Sequence, residues 1–151
     1  MFQIRLAISS DVDAIHNLIY ELAVFEKAPE QLLNTPERLL HDGFGPNPKF
    51  VCFVAEQNKT IVGMSFCYVR YSTWKGPVLY LEDLIVTESF RRIGIGKALF
   101  QYTCNYALEN NYTRLQWQVL DWNQSAIDFY KRFDASFDPE WLNAWVELKS
   151  N

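Results

Sequence analysis

The segment from Val78 to Leu120 combines two strand patterns with a helix pattern between them. The runs Val78–Thr87 and Arg114–Leu120 are strand-like, and from about Gly94 to Glu109 apolar side chains recur at helical spacing. A strand, a helix and a strand of these lengths form a right-handed crossover, whose two strands lie parallel in one sheet. The segment therefore predicts a mixed α/β fold that contains a parallel strand pair.

The rest of the chain adds antiparallel strands and further helices. Three successive strand-like runs, the last of which ends at Thr87, are separated only by the turns Gln57–Lys59 and Trp74–Pro77. This spacing indicates an antiparallel meander. The other predicted elements are the strands Phe2–Ile8, Phe50–Glu56, Thr60–Tyr71, Ala135–Phe137 and Leu142–Leu148, and the helices Val12–Phe25 (after the capping-box pattern Ser10–Asp13), Pro36–His41 and Asn123–Arg132. Since no linker, repeat or low-complexity tract interrupts this order, we expect a single domain over residues 1–151.

Composition excludes several classes of protein. The 151 residues are 49% hydrophobic, 16% aromatic and 21% charged, which is typical of a chain with a packed core. The formal net charge of −4 provides no overall basic field for nucleic acid or an anionic membrane. No apolar run approaches the roughly 20 residues that span a bilayer. We therefore expect no nucleic-acid partner and no membrane partner.

The cysteines and the N-terminal sequence indicate a reducing compartment. Cys52, Cys67 and Cys104 lie in apolar runs and form no Cys-x-x-Cys pattern, as buried free thiols do. The N-terminus lacks the pattern of a signal peptide. His16 and His41 are too few for a zinc site with such cysteines. We expect a cytoplasmic protein without a metal.

A glycine-containing turn, Arg91–Lys97, leads into the crossover helix. Glycines let the backbone approach a ligand closely, and the N–H groups at a helix start favour phosphate. The spacing fails for a Walker loop, because Arg91 stands where its first glycine belongs and Ala98 replaces the serine or threonine. It fails for a dinucleotide fingerprint as well, because Leu99 replaces the third glycine. Two interpretations of the turn remain. It is a cradle for some other phosphate-bearing ligand, or it is a turn that uses glycine only for its backbone conformation.

The turn matches the Arg/Gln-x-x-Gly-x-Gly/Ala pyrophosphate loop of the GNAT acetyltransferase superfamily. Within that superfamily the chain resembles the spermidine/spermine acetyltransferase family, and most closely its thialysine N-epsilon-acetyltransferase branch. The segments that carry the resemblance are Glu21–Glu26, Asp42–Gly45, Tyr71–Gly76, Tyr80–Leu84, Phe90–Gly96, Val119–Gln124 and Phe129–Lys131. The resemblance therefore covers nearly the whole chain.

The resemblance implies the GNAT fold, with acetyl-CoA as donor and a primary amine as acceptor. That fold has a mostly antiparallel central sheet flanked by helices, and its parallel strand pair splays apart to admit the pantetheine arm. The cofactor-binding residues that it implies are Leu84, Ile85, Val86, Arg91, Arg92, Ile93, Gly94, Ile95, Gly96, Lys97, Asn123, Tyr130 and Lys131. Asn123 has the alternative role of a helix N-cap.

Two positions depart from the family pattern. Arg92 stands where relatives commonly have glycine, and we expect a negative φ there because a side chain disfavours the left-handed region. Asp134 stands where the family usually has glycine after the last helix. Since Asp tolerates left-handed geometry better than most residues, we expect an intact C-cap at Asp134.

Acetyl transfer to an amine needs a base, because about one lysine-like amine in 10³ is neutral at pH 7, a cost of about 4–5 kcal/mol. We expect Glu82 to act as general base through water, and Asp83 and Glu26 to bind the acceptor. Adjacent strand residues point to opposite faces of a sheet. Glu82 and Asp83 can therefore share the site only if their strand has a bulge. The GNAT fold has a bulge in this strand.

Tyr130 matches the family's catalytic tyrosine, whose phenol would protonate the leaving thiolate. Its alternative is core packing, since Ile127 and Phe133 share its helical spacing. Trp74 and Phe25 are expected to cover the alkyl chain or the cation of the acceptor. Ser72 is neutral where polyamine acetylases of the family carry an acid, which favours thialysine-like or lysine-like amines over polyamines.

Two other functions remain open from the sequence. One is a GNAT enzyme that acetylates a protein lysine or an N-terminal amine, and the other is a non-catalytic module that binds acetyl-CoA. The resemblance also implies a homodimer. The aromatic stretch Trp141–Trp145 would supply an interface for it, and the alternative for the same residues is core packing.

Overall fold

The computed structural model describes residues 1–148, which form two compact units. The first, Met1–Gln118, contains one five-stranded sheet in the order β1-β2-β3-β4-β5. Its strands are β1 (Phe2–Leu6), β2 (Val51–Gln57), β3 (Thr60–Ser72), β4 (Gly76–Val86) and β5 (Leu115–Gln116), and its α-helices are α1 (Val12–Phe25), α2 (Pro36–Phe44) and α3 (Ile95–Glu109). The second unit begins at Val119 and contains α4 (Gln124–Lys131).

The sheet is antiparallel except for its last pair. β1 to β4 form an antiparallel meander, and β4 and β5 are parallel, as the crossover pattern predicts. The mixed α/β fold with a mostly antiparallel sheet and one parallel pair is therefore confirmed.

Helices cover both faces of this sheet. The face that presents Met64 and Ile85 packs against Ile15 and Leu18 of α1, and we call it the α1 face. On the opposite face, Ser65 shares a hydrogen bond of 2.7 Å with Thr103 of α3, and the ring of Phe53 packs against two tyrosines of the same helix. The alternation of side chains along a strand thus separates two apolar layers.

The capping box expected at Ser10–Asp13 is wrong. Residues Ser9–Asp11 form a 3₁₀ turn, so Ser10 is not the N-cap residue of α1. Asp11 occupies that position, and its side chain makes no cap hydrogen bond to the helix. Its carboxylate instead accepts from the backbone N–H of Ile8 at 2.9 Å and from the Arg5 guanidinium at 2.7 and 3.0 Å. A charged donor competes successfully for the carboxylate because such hydrogen bonds are stronger than neutral ones.

The C-terminal strands are also wrong. Ala135–Phe137 and Leu142–Leu148 form no strand in the described part of the chain, and the expected strand Arg114–Leu120 is reduced to Leu115–Gln116. An alternating pattern becomes a strand only when a neighbouring strand pairs with it, which the pattern alone does not supply. Trp141 and Trp145 remain largely exposed there.

Candidate active site

The parallel strand pair separates soon after it forms. β4 lies opposite β5 only at Leu79 and Tyr80, and beyond Tyr80 it pairs with β3 alone. The two strands therefore part as the expected splay requires. Among residues 1–148 no strand pairs with Leu84–Val86 on this side, and we call this stretch the open edge of β4. Such an edge offers main-chain donors and acceptors to an extended ligand.

The direction of the main-chain groups at this edge follows from their neighbours. The Thr87 N–H donates to the Val62 carbonyl of β3 at 2.9 Å, so the N–H and C=O groups of Val86 and Leu84 point away from β3. The Val86 carbonyl accepts from Arg91 Nε at 2.7 Å. The N–H and C=O groups of Leu84 and the N–H of Val86 therefore face the splay.

A β-bulge in β4 reorients the two acids of the Tyr80–Leu84 segment. Leu81 lies opposite Cys67 and Asp83 lies opposite Phe66, so Glu82 is an extra residue on β4. Phe66 packs with the α1-face core, which places Asp83 on that face. An extra residue restarts the alternation, so Glu82 and Asp83 share the α1 face, as the expected bulge requires.

Glu26 joins these two acids from the end of helix α1, where it is the C-cap residue. Burial, and then repulsion from Glu82 and Glu26, raises the pKa of Asp83 to about 7. Burial also raises the pKa of Glu82, and burial together with the charge of Glu82 raises that of Glu26. Glu26, Glu82 and Asp83 therefore form one acidic cluster, in which desolvated like charges favour proton uptake.

Three residues that sequence reasoning missed lie on the same face. Tyr68 and Tyr80 are opposite each other on β3 and β4, with ring centroids 5.1 Å apart. The Arg70 guanidinium lies over the Tyr80 ring, 5.7 Å from its centroid. Alternation along β4 places Tyr80 two residues before Glu82, and this period was the available signal.

The glycine turn begins helix α3 with a left-handed residue. Gly94 is the N-cap residue, with φ of +92°. Ile95, Gly96 and Lys97 follow as the first turn, whose N–H groups have no partner within the helix. The turn therefore directs the positive end of a 15-residue helix outward.

One of the two arginines of the turn differs from expectation. Arg92 has a φ of +66°, so the expected negative φ is wrong. The turn reverses the chain at this position with left-handed geometry even without a glycine, at a cost of about 1–2 kcal/mol. The Arg91 side chain turns back to the Val86 carbonyl and lies 5.7 Å from the Phe25 ring centroid, which ties the turn to β4 and α1. Ile93, the next residue, is exposed.

The second unit contains the remaining expected residues. The Asn123 side chain accepts from the Ala126 N–H at 3.2 Å, so Asn123 is the N-cap of α4. Tyr130 is buried and its ring lies against Phe129, while Lys131 is exposed. Asp134 has a φ of +56° and its N–H donates to the Lys131 carbonyl, which confirms the left-handed C-cap.

Trp74 is not brought to the acidic cluster within one chain. It lies in the β3–β4 turn and is 91% exposed. Gly76 and Glu82 are six strand positions, or roughly 20 Å, apart. The Ser72 hydroxyl accepts from the N–H groups of Trp74 and Lys75, so Ser72 stabilises this turn. Phe25, in contrast, directly precedes Glu26 at the end of α1.

The cysteines have no features of nucleophiles. Cys52, Cys67 and Cys104 are free thiols. Burial raises the pKa of each, and that of Cys67 to about 12. Within residues 1–148, no group of three or more His, Cys, Asp or Glu side chains is arranged to hold a metal ion. Over the same residues, no helix has the length and apolar character needed to cross a bilayer.

A cavity of about 590 Å³ in the first unit borders Tyr68 on the side away from the acids. Phe44, Phe50, Tyr68 and Tyr106 contribute to its walls, whereas none of the three clustered acids does. The acids instead adjoin the open edge of β4, which has the main-chain groups and the charge that a reaction site requires.

Comparison with known proteins places these features in a family. The family model described as "Acetyltransferase (GNAT) family" matches residues 13–135. Thialysine N-epsilon-acetyltransferase of Mus musculus is 40% identical over 155 residues, covering 97% of this chain and 91% of that protein. The Bos taurus protein of the same name is 40% identical over 140 residues, covering 87% and 82%.

More distant similarities support the same fold. Spermidine/spermine N(1)-acetyltransferase-like protein 1 of Homo sapiens is 37% identical over 93% of this chain and 22% of that protein. The crystal structure of an aminoglycoside acetyltransferase from a soil metagenomic sample superposes with a TM-score of 0.81, at 23% identity, and covers 98% of this chain and 97% of that chain.

Proposed function

The chain belongs to the GNAT acetyltransferase family, and from this premise we propose that it transfers the acetyl group of acetyl-CoA to a primary amine of a small cationic acceptor. The acceptor is of the thialysine or lysine type, and diamines or polyamines are poorer substrates. The amine attacks the thioester directly while both substrates are bound. The acidic cluster beside the open edge of β4 is the observation that carries this proposal.

The acidic cluster supports a cationic acceptor and a proton acceptor in one place. Glu26 and Asp83 would bind the ammonium, and Glu82 would receive its proton through water. A carboxylate whose pKa is raised is a stronger base than an unperturbed one, and partial desolvation raises the pKa of the solvent-accessible Glu82. Phe25 adjoins Glu26 at the end of α1 and would cover part of the acceptor chain.

The open edge of β4 supports the binding of the donor. The edge-facing main-chain groups of Leu84 would pair with the pantetheine arm, next to Ile85 and Val86, and one of the N–H groups there would polarise the thioester carbonyl. The N–H groups from Arg92 to Lys97 would hold the pyrophosphate. In the second unit, Asn123 and Tyr130 would contact the pantetheine arm, and Lys131 the phosphate-bearing end.

The reaction then requires two proton transfers. Once Glu82 has released the first proton to solvent, the neutral amine forms the new N–C bond as the C–S bond breaks, and the second N–H proton leaves through the same water to Glu82. Tyr130 would donate its phenolic proton to the departing thiolate, since the thiol and the phenol have ordinary pKa values near 8.5 and 10. Each general acid or base of this kind contributes roughly 10²–10⁴-fold to a rate.

The likeness to thialysine acetyltransferases supports the acceptor class. A neutral Ser72, whose hydroxyl accepts main-chain hydrogen bonds, leaves fewer carboxylates for a long polycation. We further propose one domain, a cytoplasmic location in keeping with three free thiols, and a homodimer in which the exposed Trp74 and the exposed side chains of Trp141 and Trp145 contact a second copy. A monomeric mass by light scattering at micromolar concentration would contradict the dimer.

The deciding experiment is an amine panel with acetyl-CoA, in which release of the coenzyme A thiol is measured. We expect thialysine and lysine to be acetylated with a higher kcat/KM than spermidine. A far faster reaction with spermidine would overturn the acceptor class. Turnover only with peptides that carry a free lysine or N-terminal amine would indicate a protein acetyltransferase, and binding of acetyl-CoA without any turnover would indicate a non-catalytic module.

A further inference from the structure

Arg70 carries an exposed positive charge close to the acidic cluster that we propose to bind the ammonium group of the acceptor. It lies on β3 opposite Val78, and its guanidinium folds over the Tyr80 ring. Among residues 1–118, no carboxylate forms an ion pair with this guanidinium. A cation near the binding site of another cation costs energy unless an anion accompanies it.

The α1 face carries its charges in a fixed order. The acids Glu82 and Asp83 lie at one end, the stacked rings of Tyr68 and Tyr80 come next, and Arg70 follows. Alternation explains the order, because residues two apart on one strand and opposite residues on neighbouring strands share a face. A negative group, an apolar platform and a positive group therefore succeed one another along the sheet.

The charges of Glu82 and Arg70 both affect the pKa values of the Tyr68 and Tyr80 phenols. The charge of Glu82 contributes to a raised pKa of Tyr68 and of Tyr80, behind the larger effect of burial, and the charge of Arg70 opposes it in both cases. The tyrosines therefore lie within electrostatic range of both ends.

We propose that Arg70 binds the α-carboxylate of a diamino-acid acceptor whose terminal amine lies at Glu82 and Asp83 and whose alkyl chain crosses Tyr68. This inference rests on the proposed function and assigns a specificity-determining residue to it. Guanidinium and carboxylate match in shape and can form two parallel hydrogen bonds.

The dimensions fit such an acceptor. Six bonds separate the terminal nitrogen of lysine from its carboxylate carbon, a span of roughly 7–8 Å when extended. Tyr80, beneath the guanidinium, lies two strand positions, or roughly 7 Å, from Glu82. Tyr68 is partly exposed between the two ends and offers its ring to the methylene or thioether chain.

The same arrangement discriminates against polyamines. A diamine of the same length would place a second ammonium near the guanidinium, where the like charges repel. The carboxylate, rather than the number of amines, would then decide which acceptor is used.

The test compares thialysine with bis(2-aminoethyl) sulfide, and lysine with 1,5-diaminopentane. Each pair differs only in the carboxylate. For the wild-type protein we expect kcat/KM to be at least about 10-fold higher with the amino acid, since hydrogen bonds between charged groups are among the stronger ones. Arg70→Gln should raise KM for the amino acids about 10-fold, leave kcat nearly unchanged, and leave kcat/KM for the diamines equal or higher.

Two further variants complete the design. Arg70→Lys retains the charge without the paired hydrogen bonds and should recover part of the preference. Arg114→Gln removes an exposed arginine at the start of β5 and should behave as wild type. Equal use of both members of each pair, or an unchanged preference in Arg70→Gln, would overturn the role of Arg70 while leaving acetyl transfer to amines intact. If no amine is acetylated by the wild-type protein, the proposed function itself fails.

Discussion

Glu82 and Asp83 are consecutive residues of β4, yet both lie on the α1 face of the sheet. The bulge at Glu82, between the pairs Cys67–Leu81 and Phe66–Asp83, produces this relationship. A regular strand would direct one of the two carboxylates toward α3 and away from Glu26. One extra residue therefore assembles the acidic cluster and keeps Tyr80 beside it.

Replacement of Glu82 tests the general base. We expect Glu82→Gln to lower kcat about 100-fold or more at pH 7, because the acceptor then loses its route for proton removal. Toward pH 10 the defect should shrink, since a growing share of the acceptor is already neutral. Initial rates from pH 6 to 10 measure this, with Glu109→Gln, an exposed acid at the end of α3, as the matched control. A loss of less than threefold at pH 7 would exclude Glu82 as the base.

The pH dependence of stability tests the burial of Asp83. Its folded pKa is about 7 and its ordinary value is 3.8, so the folded state binds the extra proton between these values. Unfolding therefore becomes easier as the pH rises from about 4 to 7, after which this contribution is constant. Glu26 and Glu82 act in the same direction because their pKa values are also raised.

Asp83→Asn should remove the largest part of this slope. We expect its Tm to exceed that of the wild-type protein by a margin that grows from pH 5 to pH 8 and reaches several degrees. Thermal unfolding followed by circular dichroism measures the margin. Asp13→Asn, at an exposed position of α1, should show no such growth. A constant margin for Asp83→Asn would mean that Asp83 is ionised throughout this range.

Tyr130→Phe tests the proton donor to the leaving thiolate. The change removes only the hydroxyl from a buried ring that packs against Phe129, so we expect the fold to persist. We expect kcat to fall about 100-fold with KM values for both substrates within about threefold of wild type. Tyr20→Phe, at an exposed position of α1, is the control. If Tyr130→Phe retains full turnover, another group supplies the proton.

Gly94 and Gly76 have similar backbone geometry. Alanine substitutions at the two positions therefore separate an effect on acetyl-CoA binding from an effect of backbone strain. Gly94 and Gly76 have φ of +92° and +79°, and at both an added Cβ would meet no atom within 4 Å. Alanine at either position should destabilise the protein by about 1–2 kcal/mol through left-handed strain alone. Only Gly94→Ala should also raise KM for acetyl-CoA, because Gly94 begins the turn that we propose to hold the pyrophosphate. Equal KM values for the two variants would argue against that turn as the phosphate site.

Local patterns were sufficient where an element depends on its own residues. Helix α1 has the predicted bounds because its apolar spacing creates a face that the sheet can bury, and Asp134 adopts the left-handed conformation that an aspartate tolerates. They failed where a distant partner decides the outcome. Helix α1 has Asp11 rather than Ser10 at its N-cap, and the Asp11 carboxylate binds the distant Arg5. The alternating stretch Leu142–Leu148 has no strand beside it to pair with in the described part of the chain.

The family, the sheet order around the crossover and the residues able to do acid–base chemistry follow from the order of amino acids, since period, turn composition and motif spacing are properties of the chain itself. The orientation of Glu82, the pKa of Asp83 near 7 and the position of Arg70 over Tyr80 arise only when β3, β4 and α1 are packed together. Register across two strands sets which face a side chain occupies, and burial between layers sets how strongly a carboxylate holds its proton. Both depend on residues far apart in the chain, and at this site they turn three separate acids and Arg70 into a candidate site for an amino acid that carries a second amine.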